Sequence, residues 1–217
     1  MAEGISFRNS SRSMTDTITI DFSEIEPRDK YKIMIGTIVP RPIAWVMTVD
    51  AGGRPNAAPY SFFGCLSSDP PIIGLGIEYR ADGRSKDTAR NIRDVGVFTV
   101  NIVTHSLADA MNTTAFPFEE HVNEVEMAGL TLRSGVKVAS PAIAESPAAL
   151  ECRLHSFIDL GKSREIILGE IVAARLRSDI INERFHIDPM ALDAVGRMGG
   201  SAYATTRDCF DIKPPTL

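Results

Sequence analysis

The chain has 217 residues, 44% of them hydrophobic, with a formal net charge of −5, and is long enough to bury one sizeable core. Its basic residues are scattered, which excludes the basic stripe needed to neutralise nucleic-acid phosphates, and no apolar run approaches the ~20 residues that span a bilayer. The N-terminus lacks the apolar core of a signal peptide, so a soluble cytoplasmic protein is expected. The three cysteines, Cys65, Cys152 and Cys209, lie too far apart for zinc pairs and are odd in number, so reduced thiols are expected.

Residues 1–13 are rich in Ser, Arg and Asn, show no period, and read as a disordered or non-native extension; Met14 is then a candidate start and 14–217 a single domain. Residues 14–22 alternate like a strand. Arg41-Pro-Ile-Ala-Trp-Val opens the next, β-branched and aromatic through 43–49, and Asp50-Ala-Gly-Gly turns it back. Residues 56–63 form the return strand, which Ser67-Ser-Asp-Pro-Pro closes. Residues 72–77 are a short apolar strand whose glycines imply a close neighbour. Ser85 caps a helix in which Ala89, Ile92 and Val95 recur at helical spacing, ended by Gly96. A strand over 97–103 and helices over 104–113 and 122–128 follow, the last ended by Gly129. Residues 148–160 and 165–176 are strands joined by Gly161-Lys-Ser-Arg, and Asp188-Pro189 begins a short helical turn ahead of Val195-Gly-Arg-Met-Gly-Gly and Tyr203. Many short strands with inserted helices predict a mainly β, antiparallel barrel, and no G-x-G-x-x-G supports a dinucleotide fold.

Two segments carry candidate chemistry. At Ser85, Lys86, Asp87 and Thr88, preceded by Arg80, a helix N-terminus coincides with cations and hydroxyls, which suits a phosphate; an ordinary capped helix start with a solvated lysine is the alternative. Over residues 58–68, backbone N–H groups of a kinked strand and the small residues Ser61, Gly64 and Cys65 suit the edge of a planar heterocycle; the alternative is a plain strand and loop with Phe62 and Phe63 in the core. Together they fit flavin mononucleotide (FMN). His105, His121, His155 and His186 lack metal-ligand spacing, Glu119-Glu120-His121 reads as a solvated loop, and no G-x-S-x-G elbow or nucleophile–base pair is present.

The order of these segments resembles the flavin reductase-like, FMN-binding split-barrel family, in particular its flavoredoxin-like branch. The likeness runs from Tyr31 to Tyr203 through Arg41-Pro-Ile-Ala-Trp-Val, residues 56–63, Ser67-Ser-Asp-Pro-Pro, Lys86-Asp-Thr-Ala-Arg-Asn-Ile, Phe98-Thr-Val-Asn, Ala128-Gly-Leu-Thr, Ser146-Pro-Ala-Ala-Leu-Glu-Cys, Leu168-Gly-Glu and Val195-Gly-Arg-Met-Gly-Gly. The resemblance implies a Greek-key split β-barrel, a homodimer and FMN near the subunit interface. It places Ser61, Phe62 and Phe63 beside the isoalloxazine ring, with Gly64, Cys65 and Ser67 following. Arg80, Lys86, Asp87 and Thr88 then surround the phosphate, and Arg41 and Trp45 border the cavity. Gly64-Cys65 replaces the family's usual Asn-Gly, so Cys65 is expected either at the pocket or turned into the core.

The implied activity is an NAD(P)H-dependent flavin reductase, with NADH or NADPH passing hydride to flavin N5; the cofactor supplies the chemistry, so no catalytic side chain is named. A flavoredoxin-type electron carrier with tightly held FMN and a barrel that has lost its flavin are the alternatives. A redox partner protein or a monooxygenase is the expected partner.

Overall fold

The computed structural model describes residues 17–118 and 122–215. The extension over 1–13, the start of the 14–22 segment and Glu119-Glu120-His121 lie outside them. Residues 17–22 form no strand: they are irregular and mostly exposed, with no partner strand for their alternation to pair with.

The chain first forms helix α1 (Pro27–Thr37), which the sequence reading missed. Pro27 stands at its start, where a missing N–H costs nothing. No residue of α1 is buried, so the apolar stripe that marks most helices is weak here. Two residues, β1 (Arg41–Pro42), lead into β2 (Ala44–Val49), which turns at Asp50 into β3 (Pro55–Tyr60). The expected return strand to residue 63 stops at Tyr60. The chain crosses at Ser61 and Phe62 and begins β4 (Phe63–Ser68), which pairs with β5 (Pro71–Glu78).

Helix α2 (Asp87–Val95) follows, ended by Gly96 in the left-handed region at φ 80°. Its N-cap position is Lys86, not Ser85, because the Ser85 hydroxyl is engaged with the buried Glu165 carboxylate at 3.4 Å. β6 (Val97–Ile102) leads to a 3₁₀ turn over 105–107, and only then to α3 (Ala108–Thr113), shorter than the expected helix. Short elements α4 (Glu124–Met127), β7 (Leu132–Arg133) and β8 (Ala142–Ile143) precede the long hairpin of β9 (Ala148–Asp159) and β10 (Arg164–Leu176). The chain closes with α5 (Pro189–Leu192), capped by Asp188, and the hairpin β11 (Val195–Arg197) and β12 (Tyr203–Thr205).

Seven antiparallel strands form one sheet in the order β3-β2-β6-β9-β10-β5-β4. It curls back so that β3 comes close to β5, and the Gly76 N–H donates to the Phe62 carbonyl at 2.7 Å, continuing the β4–β5 ladder up to the crossing. The result is a mainly β split barrel. Strand β2, next to the edge strand β3, is buried along its whole length, so its residues divide between two cores. Ala44 and Val46 face inward with Leu75, Ile77, Phe98, Val100 and Ile167, and α2 plugs this interior with Ala89 and Ile92. Ile43, Trp45 and Met47 face outward with Val103, Met111, Val125, Ile143 and Val195. No helix among the described residues is long and apolar enough to cross a membrane.

Candidate functional site

A groove runs along the split, formed by two contiguous cavities of about 320 and 260 Å³ that share Pro59, Tyr60, Glu78 and Ala115. The first is the charged end. Here β5 brings Glu78, the following loop Arg80, and the α2 N-terminus Lys86, Asp87 and Thr88. Arg80 is paired with Asp87 and Lys86 with Glu78. Arg90 also sits 2.6 Å from Asp87. Burial pushes the Glu78 carboxyl upward, but Lys86 and Arg164 outweigh it and hold the group below its ordinary value. Burial raises Glu124, on the opposite wall.

Thr88 is buried and anchors the floor of this end. Its hydroxyl accepts from Tyr60 at 2.9 Å and from Asn56 at 3.1 Å, so its own proton remains to be donated. Burial holds the Tyr60 phenol above its usual range, keeping it a neutral donor to Thr88. The first turn of α2 has no side-chain cap, so its leading N–H groups are left for an anion. This donor set suits a phosphate.

The second cavity is the aromatic end. Phe62 projects from the crossing with the Tyr31 ring nearly parallel to it, centroids 6.4 Å apart at 6°, and the Arg164 guanidinium lies 3.8 Å from its centroid. Ser61, Asn112 and Met111 line one side; Arg197, 4.4 Å from the Tyr203 ring centroid, lines another. Planar surfaces flanked by donors suit a flat heterocycle.

Arg41 stands behind this end. It is 7% exposed and donates to the carbonyls of Ile35 (2.6 Å), Ile38 (2.9 Å) and Met198 (3.0 Å), with Nε 3.4 Å from the Ser61 hydroxyl. One fork therefore ties the end of α1, the β11–β12 hairpin and Ser61 together.

Among the residues singled out from sequence, the structure gathers Arg80, Lys86, Asp87 and Thr88 at the charged end, and Ser61 and Phe62 at the aromatic end. It does not bring the others into the groove. Trp45 is fully buried, and its indole N–H donates at 2.9 Å to Thr114, a groove-wall residue. Phe63 packs against the barrel core, and with Gly64 and Arg41 it lines an apolar cavity of about 420 Å³ beside Met34, Ile38 and Leu66, which shares Ser61, Phe62 and Gly76 with the aromatic end. Cys65 and Ser67 are exposed on β4, so Cys65 is neither turned into the core nor part of the groove.

Sequence reasoning missed Tyr31, Glu78, Arg164, Arg197 and Tyr203 as groove residues. Arg197 and Tyr203 belong to segments that carried the family resemblance, and Arg164 ends the Gly161 turn. Their residue types offered a signal; only the fold shows that they converge.

Residues 35–196 match the sequence profile of the flavin reductase like domain. An uncharacterised protein from Deinococcus radiodurans is 43% identical over 199 residues, covering 88% of this chain and 87% of its own. Among solved structures, nitrilotriacetate monooxygenase component B from Bacillus cereus superposes with a TM-score of 0.87 at 30% identity, covering 91% of this chain and 99% of that one. A 2-nitrobenzoate 2-nitroreductase from Pseudomonas fluorescens gives 0.85 at 33%, covering 92% and 98%. With its barrel and the match over residues 35–196, the chain belongs to the flavin reductase-like family.

Proposed function

We propose that the chain is an FMN-dependent oxidoreductase that takes electrons from NADH or NADPH. The observation that carries this reading is the continuous groove, with cations and an uncapped helix start at one end and stacked aromatic surfaces at the other. Arg80, Lys86 and Thr88 would hold the FMN phosphate, and Ser61 and Phe62 would border the ring. FMN held there supplies hydride acceptance from a nicotinamide and onward electron transfer. The chain's own residues bind, orient and polarise. Because Ser61 accepts from Arg41, its hydroxyl proton is directed elsewhere, as a donor for a ring edge.

Two family relatives support the redox reading by their names: one is a component of a monooxygenase, the other a nitroreductase. The first makes a partner monooxygenase the natural recipient of electrons. A homodimer belongs to the same proposal. Helix α1 has no buried residue, Ile38 and Leu66 are 60% and 62% exposed, and the apolar cavity between them is open on this chain. Monomers rarely leave such surface uncovered.

The test is the absorbance of the purified protein, then oxidation of NADH and NADPH with and without added FMN. A flavin spectrum with nucleotide oxidation is expected. Yellow protein that ignores both nucleotides would make it an electron carrier, and colourless protein that fails to take up FMN would overturn the reading. Light scattering at micromolar concentration is expected to give twice the 23.6 kDa chain mass; the chain mass itself would overturn the dimer.

A further inference from the structure

We propose that Glu124 restricts the groove to the mononucleotide form of the flavin: its carboxylate closes the charged end and repels the second phosphate of flavin adenine dinucleotide (FAD). This rests on the flavin reading above, and names the residue that decides which flavin is taken.

Strand β3 gives the groove its direction. Pro59 and Tyr60 line both cavities, and Lys86 lies over the Tyr60 ring, 5.9 Å from its centroid. Asn56 and Ala57 line the charged end without reaching the aromatic one. Glu124 is attached at Ala57, whose N–H donates to its carboxylate. That is three residues back from Tyr60, roughly 10 Å along a strand. The residue also stands on a fixed element, because α4 packs on β3 and its Asn123 cap accepts from the Val125 N–H at 3.1 Å. Past Glu124 the groove continues as a cavity of about 50 Å³, which shares Asn56, Asp87, Phe118 and Glu124 with the charged end. Such a space is far too small for an adenosine.

The charges at this end are arranged for one phosphate. Lys86 is paired with Glu78, Arg80 and Arg90 with Asp87, and Arg54 with Asp50. The start of α2 and the Thr88 proton remain for an anion, donors enough for a single phosphomonoester. Glu124 has no cation partner among the described residues, and its neighbour in charge is Asp87, another carboxylate. The adjoining 116–118 segment has no backbone donor to give. The Phe116 and Phe118 N–H groups bond to the carbonyls of Thr113 and Phe116, and Pro117 has none. FAD continues past its first phosphate with a second, and here that charge would meet like charge without compensation.

The test is titration of the flavin-free protein with riboflavin, FMN and FAD, read by flavin fluorescence and by calorimetry at mildly alkaline pH. The wild type is expected to hold FMN at least about tenfold more tightly than FAD. Glu124→Gln keeps an acceptor for the Ala57 N–H but not the charge. It should tighten FAD at least about fivefold more than FMN and leave riboflavin unchanged. Should Glu124→Gln not fold, Glu124→Lys places a cation at the same point and should narrow or reverse the preference. Equal affinity of the wild type for FMN and FAD would overturn the proposal. So would a preference that both substitutions leave intact, since that assigns the exclusion to cavity size and Phe118. Equal gains for FMN and FAD would also overturn it, by placing the Glu124 charge at the first phosphate. FMN uptake without discrimination sinks this proposal alone, whereas a wild type that takes up none of the three flavins sinks the flavin reading as well.

Discussion

The charged end of the groove takes Arg80, Lys86, Asp87 and Thr88 from one short stretch of chain, whereas the aromatic end takes Tyr31, Phe62, Arg164, Arg197 and Tyr203 from four separated segments. The first is a local device: a loop and the helix start it leads into, with donors set by backbone geometry. The second exists only when α1, the crossing, the β9–β10 hairpin and the β11–β12 hairpin are all in place. Damage to one should therefore be selective for a chemical group of the ligand, while damage to the other should be felt by the whole fold.

The largest effect is expected from Arg41→Ala. Removing the fork strands three carbonyls on two elements and releases Ser61, so stability should fall by about 3 kcal/mol, read from denaturant unfolding. FMN and riboflavin should weaken alike, because the aromatic end is what loosens. A loss confined to FMN would show that Arg41 serves the phosphate instead. The reverse selectivity is expected from Lys86→Ala with Thr88→Ala, which should weaken FMN by at least about tenfold and riboflavin, which has no phosphate, much less. Equal losses would refute the division of the groove.

The smallest effect concerns acid. Glu78 bridges the two ends through Lys86 and Arg164, and its carboxyl is held below the ordinary glutamate value of 4.5. A group whose folded value is lowered adds stability above its unfolded value and loses it as pH falls through the folded one. Stability of the wild type should therefore drop below about pH 4.5 more steeply than that of Glu78→Gln. Superimposable acid curves would mean that the two pairs contribute nothing.

The same contrast governs how much could be read from sequence. The turn between β2 and β3 and the Gly96 terminus of α2 depend on local spacing and turn chemistry, and both form where the sequence predicts them; Arg80 and residues 86–88 are near one another in the chain and line one cavity. Helix α1 was missed because it buries nothing, so it carries no strong periodic stripe. The break after Tyr60 was missed because residues 56–68 have continuous strand propensity, and only tertiary pairing divides them between opposite ends of the sheet. Ser85 reads as a cap until Glu165, on a distant strand, engages its hydroxyl. Trp45 was placed at the cavity by resemblance, yet alternation along β2 turns it to the outer core.

The composition of β3 decides which side of the sheet can meet another chain. N–H groups two residues apart on a strand point the same way, and Pro55, Ala57 and Pro59 fall on one such row. Two of these positions have no hydrogen to give, and the Ala57 N–H is directed to the Glu124 carboxylate. Facing outward, this border offers an incoming strand no donors to zip onto. The opposite border, β4, is exposed from Cys65 onward and interrupted by a bulge between Cys65 and Ser67. Growth of the sheet by strand addition is thus blocked chemically on one side and bent on the other. Self-association is steered away from open-ended, fibre-like stacking and towards contacts between faces, which close on themselves.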